Sequence, residues 1–325
     1  MGTILGESIA LGPIPFNLYA MDSNGSMVLF CRAGYEITPQ QKEMLGQAGR
    51  VFYVTSDERP TYLDYATERV DEVLANPSID KGEKVEFMKS VGKRAVERFL
   101  DDPRSGREVE RTGSFVSSYV DLVLDFPGVK TDLFTVASYG LYLLSHSFNV
   151  CTLCLLLGEK MFGKDRRQLW QLGMGGLLHD VGMTGIDKAI IDKPGKLSEE
   201  EMELVRKHPI DGHEVLRRHE LPNTVLLMTR HHHERIDGSG YPDGLATGEA
   251  HQYALVAAVA DTYDAMTSDR SYKPMKQHLD ALEELAGLLA LYDEEVFDAL
   301  LSVVLVHETI VEQFKNNNLP SKPEA

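Results

Sequence analysis

Imidazoles and carboxylates recur along this sequence at places where their ligating atoms can converge. The densest stretch is His231-His232-His233-Glu234-Arg235-Ile236-Asp237-Gly238-Ser239-Gly240-Tyr241-Pro242. Its three imidazoles close an apolar run and lead into a Gly/Asp/Pro-rich loop, so nitrogen ligands stand where a rigid helix gives way to adaptable backbone. Elsewhere His146 lies inside an apolar segment, His179-Asp180 ends another, His208 precedes Pro209, and Asp261 follows Ala260 in an apolar run. Taken singly, His146 reads as a packed core histidine and His208 as a helix-end residue favoured by the dipole. Asp261 resists a bland reading, because an unpaired buried carboxylate is costly. Together His146, His179, Asp180, His208, His232, His233 and Asp261 exceed what one tetrahedral ion needs. They suit two ions of higher coordination sharing a carboxylate, with Asp180 the candidate bridge. Consecutive helical positions point about 100° apart, so His179 and Asp180 would flank a metal centre and take their partners from other helices. Cys151 and Cys154 form a C-x-x-C without a second pair and read as packing residues.

These groups need a helical frame, and the pattern beyond residue 128 supplies one. Helices are expected over Leu133–Met161, Gln168–Val181, from a capping box at Ser198 to His208-Pro209, over Gly212–His219, and from Thr224 into the histidine triplet. Gln252–Thr267 carries Asp261 and Asp264, and two more helices follow over 276–291 and 294–313. Upstream, residues 1–60 read as a small α/β unit. Strands Phe16–Ala20 and Met27–Cys31 flank the turn signal Asn24-Gly25, Thr38-Pro39 opens a short helix ending near Gly49, and Val51–Val54 is a further strand. Residues 61–127 read as a charged helical connector with breaks at Asn76-Pro77 and Asp101-Asp102-Pro103, and 316–325 as a tail. The fold class is therefore mainly α, with a small α/β domain in front.

The composition limits the partners. A formal net charge of −17 over 325 residues argues against long nucleic acids held on a basic surface. A small phosphorylated ligand held by a few cations and metal ions remains compatible. The cysteines Cys31, Cys151 and Cys154 give no disulfide framework, which fits a reducing cytoplasm, and neither a secretion signal nor a membrane span is expected.

The ordered set His146, His179-Asp180-Val181-Gly182, Lys207-His208-Pro209, His232 to Pro242, and Ala260-Asp261-Thr262-Tyr263-Asp264 on to Arg270 resembles the HD-GYP family, a subgroup of the HD-domain metal-dependent phosphohydrolases. The resemblance covers residues 128–315 and implies an all-helical catalytic domain that hydrolyses cyclic di-GMP to pGpG and/or GMP. Carried over by residue, it places metal ligands at His146, His179, Asp180, His208, His232, His233 and Asp261, and leaves His231 as a spare histidine. Asp180, Asp264, Arg270 and Lys273 would be catalytic; Tyr241, Asp264, Arg270, Lys273 and position 183 would meet substrate. A guanidinium and an ammonium three residues apart suit a phosphodiester, since Arg engages two oxygens and Lys supplies a point charge.

Two positions depart from the family pattern. Tyr142 stands where members with three metals carry Glu, so two divalent ions are expected, iron foremost, with manganese, zinc or nickel also compatible with the donor set. Met183 stands where the family has Lys. That substitution keeps open a cyclic di-GMP receptor with little or no turnover, and an HD phosphohydrolase acting on another nucleotide is the further alternative. Residues 1–127 would serve a homodimer contact or a signalling partner.

Overall fold

The computed structural model describes residues 2–22, 24–47, 51–125, 142–193, 195–268 and 276–305, with backbone alone for 142–144. The chain divides into two compact units, residues 1–95 and 96–325. The connector expected at 61–127 is thereby shared between them.

The first unit holds six short strands, β1 (Gly2–Ile4), β2 (Gly12–Pro13), β3 (Leu18–Met21), β4 (Met27–Cys31), β5 (Glu36–Ile37) and β6 (Phe52–Val54). β3 and β4 form the expected antiparallel hairpin, and the Asp22 carboxylate accepts the N–H groups of Asn24 and Ser26 to close its turn. β6 pairs with both β3 and β1, giving the antiparallel order β1-β6-β3-β4, while β2 and β5 form a separate pair. β1 has too few residues to show a period of two, and its partner lies some fifty positions away; only tertiary pairing makes it a strand. α1 (Pro39–Leu45) begins as expected, because Thr38 and Gln41 form a capping box and Pro39 occupies the first turn, where no N–H is needed. It stops at Leu45, short of Gly49. α2 (Arg59–Thr67) and α3 (Val70–Ala75) complete this unit together with most of α4 (Lys81–Asp101). Phe16 is fully buried with Tyr62 and Tyr65 edge-on to it.

The second unit is helical among its described residues: α5 (Gly106–Asp125), α6 (Tyr142–Phe162), α7 (Arg166–Leu178), α8 (Lys188–Ile191), α9 (Glu199–Val205), α10 (His208–Leu216), α11 (Asn223–His231), α12 (Gln252–Thr267), α13 (His278–Ala286) and α14 (Glu294–Leu305). α6 and α12 are apolar almost all round, which is the signature of helices buried on every side. Their side chains share a core with α13 and α14 that includes Leu153, Leu157, Val256, Tyr263, Leu282 and Leu300. α7 packs on α6, and Trp170 donates to the Gly113 carbonyl of α5 at 2.9 Å. Cys151 and Cys154 are free and buried in α6, as packing residues should be. No helix among the described residues is long and apolar enough to cross a membrane.

Two boundaries differ from expectation at positions that matter. α7 ends at Leu178, and Asp180 has φ −96° and ψ 11°, outside helical values, before a 3₁₀ turn over Val181–Gly185. His179 and Asp180 therefore mark a change of backbone direction and are not consecutive turns of a continuing helix. His208-Pro209 opens α10 and does not end the preceding helix, because proline is tolerated in a first turn where its missing N–H has no partner to lose.

Candidate metal centre

His146 projects from α6, His179 and Asp180 from the end of α7, His208 from the first turn of α10, His232 and His233 from the end of α11, and Asp261 from α12. These segments converge, and His146, His179, His208 and His232 are all buried. Asp180 lies at the centre. Its Oδ1 is 3.1 Å from His208 Nε2 and 3.6 Å from His232 Nε2, while its Oδ2 is 3.4 Å from His179 Nε2 and 3.6 Å from His146 Nε2. One carboxylate thus faces two groups of imidazoles, one oxygen to each. The donor atoms of Asp180, His208, His232 and His233 all lie within 4.8 Å of one another, as do those of His146, His179 and Asp180. Asp261 reaches both groups too, with Oδ1 3.2 Å from His146 Nε2 and Oδ2 3.7 Å from His233 Nδ1.

The outer ring nitrogens decide which way the inner ones face. Nδ1 of His179, His208 and His232 lies 2.8, 2.7 and 2.9 Å from the carbonyls of Gly176, Val205 and Thr229, three residues earlier in each case. A carbonyl only accepts, so each Nδ1 carries a proton, and Nε2 is the nitrogen each ring turns to the centre, where it can ligate a metal. His146 follows the same logic with a carboxylate, its Nδ1 donating to Asp264 Oδ2 at 2.7 Å. The inner nitrogens then meet in pairs, His146 with His179 and His208 with His232, each at 3.2 Å. Paired ring nitrogens at that distance can share a proton or, once both are unprotonated, a metal ion. The fit of residues to metal is therefore good: nitrogen and oxygen donors turned toward the centre, with their outer atoms fixed by backbone and carboxylate partners. The cluster is suited to divalent metal ions.

Charge reinforces this arrangement. Burial alone would raise the Asp180 carboxyl, but His179 and the hydrogen bonds of His208 and His232 hold it well below the usual carboxylate range. Asp261 is depressed likewise, burial being outweighed by His146 and His233. Burial disfavours a charge on His146, yet Asp261 and Asp264 outweigh it and push its pKa up to about 10. Burial, followed by the neighbouring imidazoles, lowers His232 and His233. Two carboxylates kept ionised beside His232 and His233, whose protonation burial opposes, make a cation-seeking cavity.

The HD-domain family profile matches residues 143–296. Over 288 residues the chain is 30% identical to a cyclic di-GMP phosphodiesterase of Thermotoga maritima, covering 86% of this chain and 72% of that protein. The chain belongs to the HD-GYP family. It is also 34% identical over 221 residues to the cyclic di-GMP phosphodiesterase PA4108 of Pseudomonas aeruginosa, 67% of this chain and 53% of that one, so it spans about half of that relative's length. The solved structure of Bd1817, an HDG"Y"P protein from Bdellovibrio bacteriovorus, superposes with a TM-score of 0.64 at 19% identity, covering 93% of this chain and 99% of that one, and shares the fold.

The HD-GYP loop itself is held from beneath. Glu234 is 1% exposed, and its two carboxylate oxygens accept the N–H groups of Asp243 at 2.7 Å and Leu245 at 3.0 Å. His231, spare as a ligand, bonds Asp243 through Nε2 at 2.8 Å, and Arg230 grips the same carboxylate with two nitrogens. The pair at Arg230 is partly exposed and worth at most about 1 kcal/mol, so the buried Glu234 carries most of the restraint. Held this way, the loop stacks Tyr241 on His233 with ring centroids 4.8 Å apart. Gly240 allows the chain to close over Glu234: a Cβ there would meet the Glu234 carbonyl carbon at 2.6 Å. The close approach is to the loop's own base. Sequence reasoning passed over Glu234 and Asp243, whose partners are set by the path of the loop; adjacency to the His pair was the one available signal.

Other expected site residues stand differently. Asp264, expected to meet substrate, is 3% exposed; its Oδ2 holds His146 and its Oδ1 accepts from Asn149 and Ser268. Arg270 and Lys273 lie outside the described residues, as does the Tyr142 side chain. Met183 is half-buried in the 3₁₀ turn that packs on α10.

That packing depends on Gly182. A Cβ there would strike the His208 carbonyl and meet Gly212 N at 2.6 Å, and neither backbone atom can swing aside. Gly182→Ala is expected to cost about 1–3 kcal/mol by overpacking and to shift His208 away from Asp180. Thermal melting and metal content of the purified variant check both effects together; a variant with native values for each shows that the turn relaxes freely.

Proposed function

We propose that this chain is a metal-dependent phosphodiesterase that hydrolyses cyclic di-GMP to pGpG and/or GMP through a binuclear centre, iron foremost. The observation that carries the reading is the placement of Asp180, one oxygen toward the His208 and His232 nitrogens and the other toward those of His146 and His179. In the reading, His146, His179, Asp180 and Asp261 hold one divalent ion, and His208, His232, His233 and Asp180 the other. Bound divalent ions supply Lewis acidity, polarising a phosphoryl oxygen and acidifying a water. The rest falls to the chain. Asp264 and Asn149 keep the His146 ring oriented, Glu234 keeps the loop closed, and Tyr241 shapes the substrate space beside His233. Arg270 and Lys273 are read as the cations that orient the diester. In the reaction a water oxygen bonds to phosphorus, the P–O3′ bond breaks, and the leaving oxygen takes up a proton.

The test is incubation of metal-loaded protein with cyclic di-GMP under reducing, anaerobic conditions, with products separated by chromatography and metal measured by elemental analysis. Product no greater than that of Asp180→Ala sinks the reading. Met183 favours one second reading, a receptor that binds without turnover, because an apolar side chain replaces an expected cation beside the site. Calorimetric binding of cyclic di-GMP without product, together with turnover gained in Met183→Lys, distinguishes it. Two relatives carry the name 3'3'-cGAMP-specific phosphodiesterase, at 34% and 30% identity over 162 and 166 residues, so the mixed dinucleotide belongs in the same assay.

A further inference from the structure

We propose that Arg206 is a specificity-determining residue of this site, binding the phosphodiester of a cyclic dinucleotide that is not being cut. The inference rests on the cyclic di-GMP reading above. Tyr241 neighbours both His233 and Arg206. The Tyr241 ring stacks on His233 with centroids 4.8 Å apart and an interplanar angle of 28°, and the Arg206 guanidinium carbon stands 5.9 Å from the centroid of Tyr241. The guanidinium is close enough to Tyr241 to be held by its π face.

Arg206 is exposed, and its side chain makes no hydrogen bond or ion pair among the described residues. Its neighbours are engaged: Arg235 bonds the Glu234 carbonyl and covers the Tyr292 ring, and Arg230 is bound to Asp243. Its backbone is nevertheless fixed. Arg206 caps the C-terminus of α9, its N–H bonded to carbonyls of the preceding turn, and the Val205 carbonyl beside it accepts the His208 Nδ1–H. A fork of donors on a fixed base, beside an aromatic ring that stacks on His233, is suited to phosphate oxygens.

Position decides which phosphate. Arg206 is exposed while the ligands His208 and His232 are buried, so the guanidinium lies on the solvent side of a phosphate held against them. A cyclic dinucleotide carries a second phosphodiester on the opposite side of its ring, and Arg206 meets that one. Its contribution is therefore to binding, with little effect on the chemical step.

The experiment is steady-state kinetics of the metal-loaded full chain, as wild type, Arg206→Ala and Arg206→Lys. Cyclic di-GMP is compared with bis(p-nitrophenyl) phosphate, a diester with a single phosphate. One charge-assisted contact at an exposed position is worth about tenfold. Arg206→Ala is expected to raise KM for cyclic di-GMP about tenfold with kcat within about twofold, and to lower the ratio of kcat/KM between the two substrates about tenfold. Arg206→Lys recovers part of that ratio. An unmoved ratio in a wild type that turns over cyclic di-GMP overturns the assignment of Arg206 alone. A wild type that neither binds nor cuts cyclic di-GMP overturns the reading of the site and this inference with it.

Discussion

Asp180→Ala is expected to lower turnover of cyclic di-GMP by about three orders of magnitude or more, since a metal centre supplies several kcal/mol of transition-state stabilisation and each 1.4 kcal/mol is tenfold. The cause lies in geometry. Both imidazole groups use this carboxylate, one oxygen each, so a single truncation removes a donor from both and also removes the negative charge that offsets two cations. Metal content should fall together with turnover. Asp180→Asn separates the two roles: the amide keeps the volume but presents one oxygen and one NH₂ group, and the NH₂ faces imidazole nitrogens without ligating a cation. Elemental analysis of wild type and both variants, purified without added metal, is the measurement. Full metal content in Asp180→Asn removes Asp180 as the shared ligand, whatever the kinetics show.

The second large effect is expected at Glu234, which contacts neither the proposed metals nor substrate. Glu234→Ala leaves the N–H groups of Asp243 and Leu245 without their acceptors, and hydrogen bonds to a buried charged group are worth about 1.5–3 kcal/mol each. A loss near the low end of the sum, about 3 kcal/mol, corresponds to about 6–12 °C in the melting temperature of a domain of this size. Activity should fall about 10–100-fold through the misplaced loop, the usual consequence of removing an outer partner of a metal site. Glu234→Gln is intermediate, because its carbonyl accepts one N–H while its NH₂ group opposes the other. Hydrogen exchange at the Asp243 and Leu245 amides provides the specific readout: if both stay as protected in Glu234→Ala as in wild type, the loop is held by something else.

Much of this molecule was legible before folding. The hairpin around Asn24-Gly25, the helix start at Thr38-Pro39, the capping box at Ser198, and the apolar runs of α6 and α12 are local signals, and local signals survive in the sequence. The set of histidines and aspartates was legible for a different reason. Several uncommon residue types stand in a fixed order, and that order carried the family resemblance before any distance was known. Helix ends were less legible. Proline at 209 is compatible with the close of one helix and the opening of the next, and only the folded backbone, which ends α9 at Val205 and starts α10 at His208, shows which side His208 is on. β1 was invisible because a three-residue strand owes its existence to β6.

By itself, then, the sequence determined the class of the fold, the donor types and the family, because these rest on periodicity and on residue identity in order. Tertiary structure alone decided the direction in which each donor points. Nδ1 of each histidine is bound by a carbonyl or a carboxylate delivered by the fold, which turns four Nε2 atoms inward. It decided that Asp264 supports His146 from within, that Glu234 and His231 latch the loop, and that Gly182 brings the turn after Asp180 onto α10. It also placed Arg206 beside Tyr241, with no side-chain hydrogen bond or ion pair among the described residues. Hydrogen-bond partners distant in the chain leave no periodic trace, because a bond between residues far apart in the chain depends on where the intervening backbone travels.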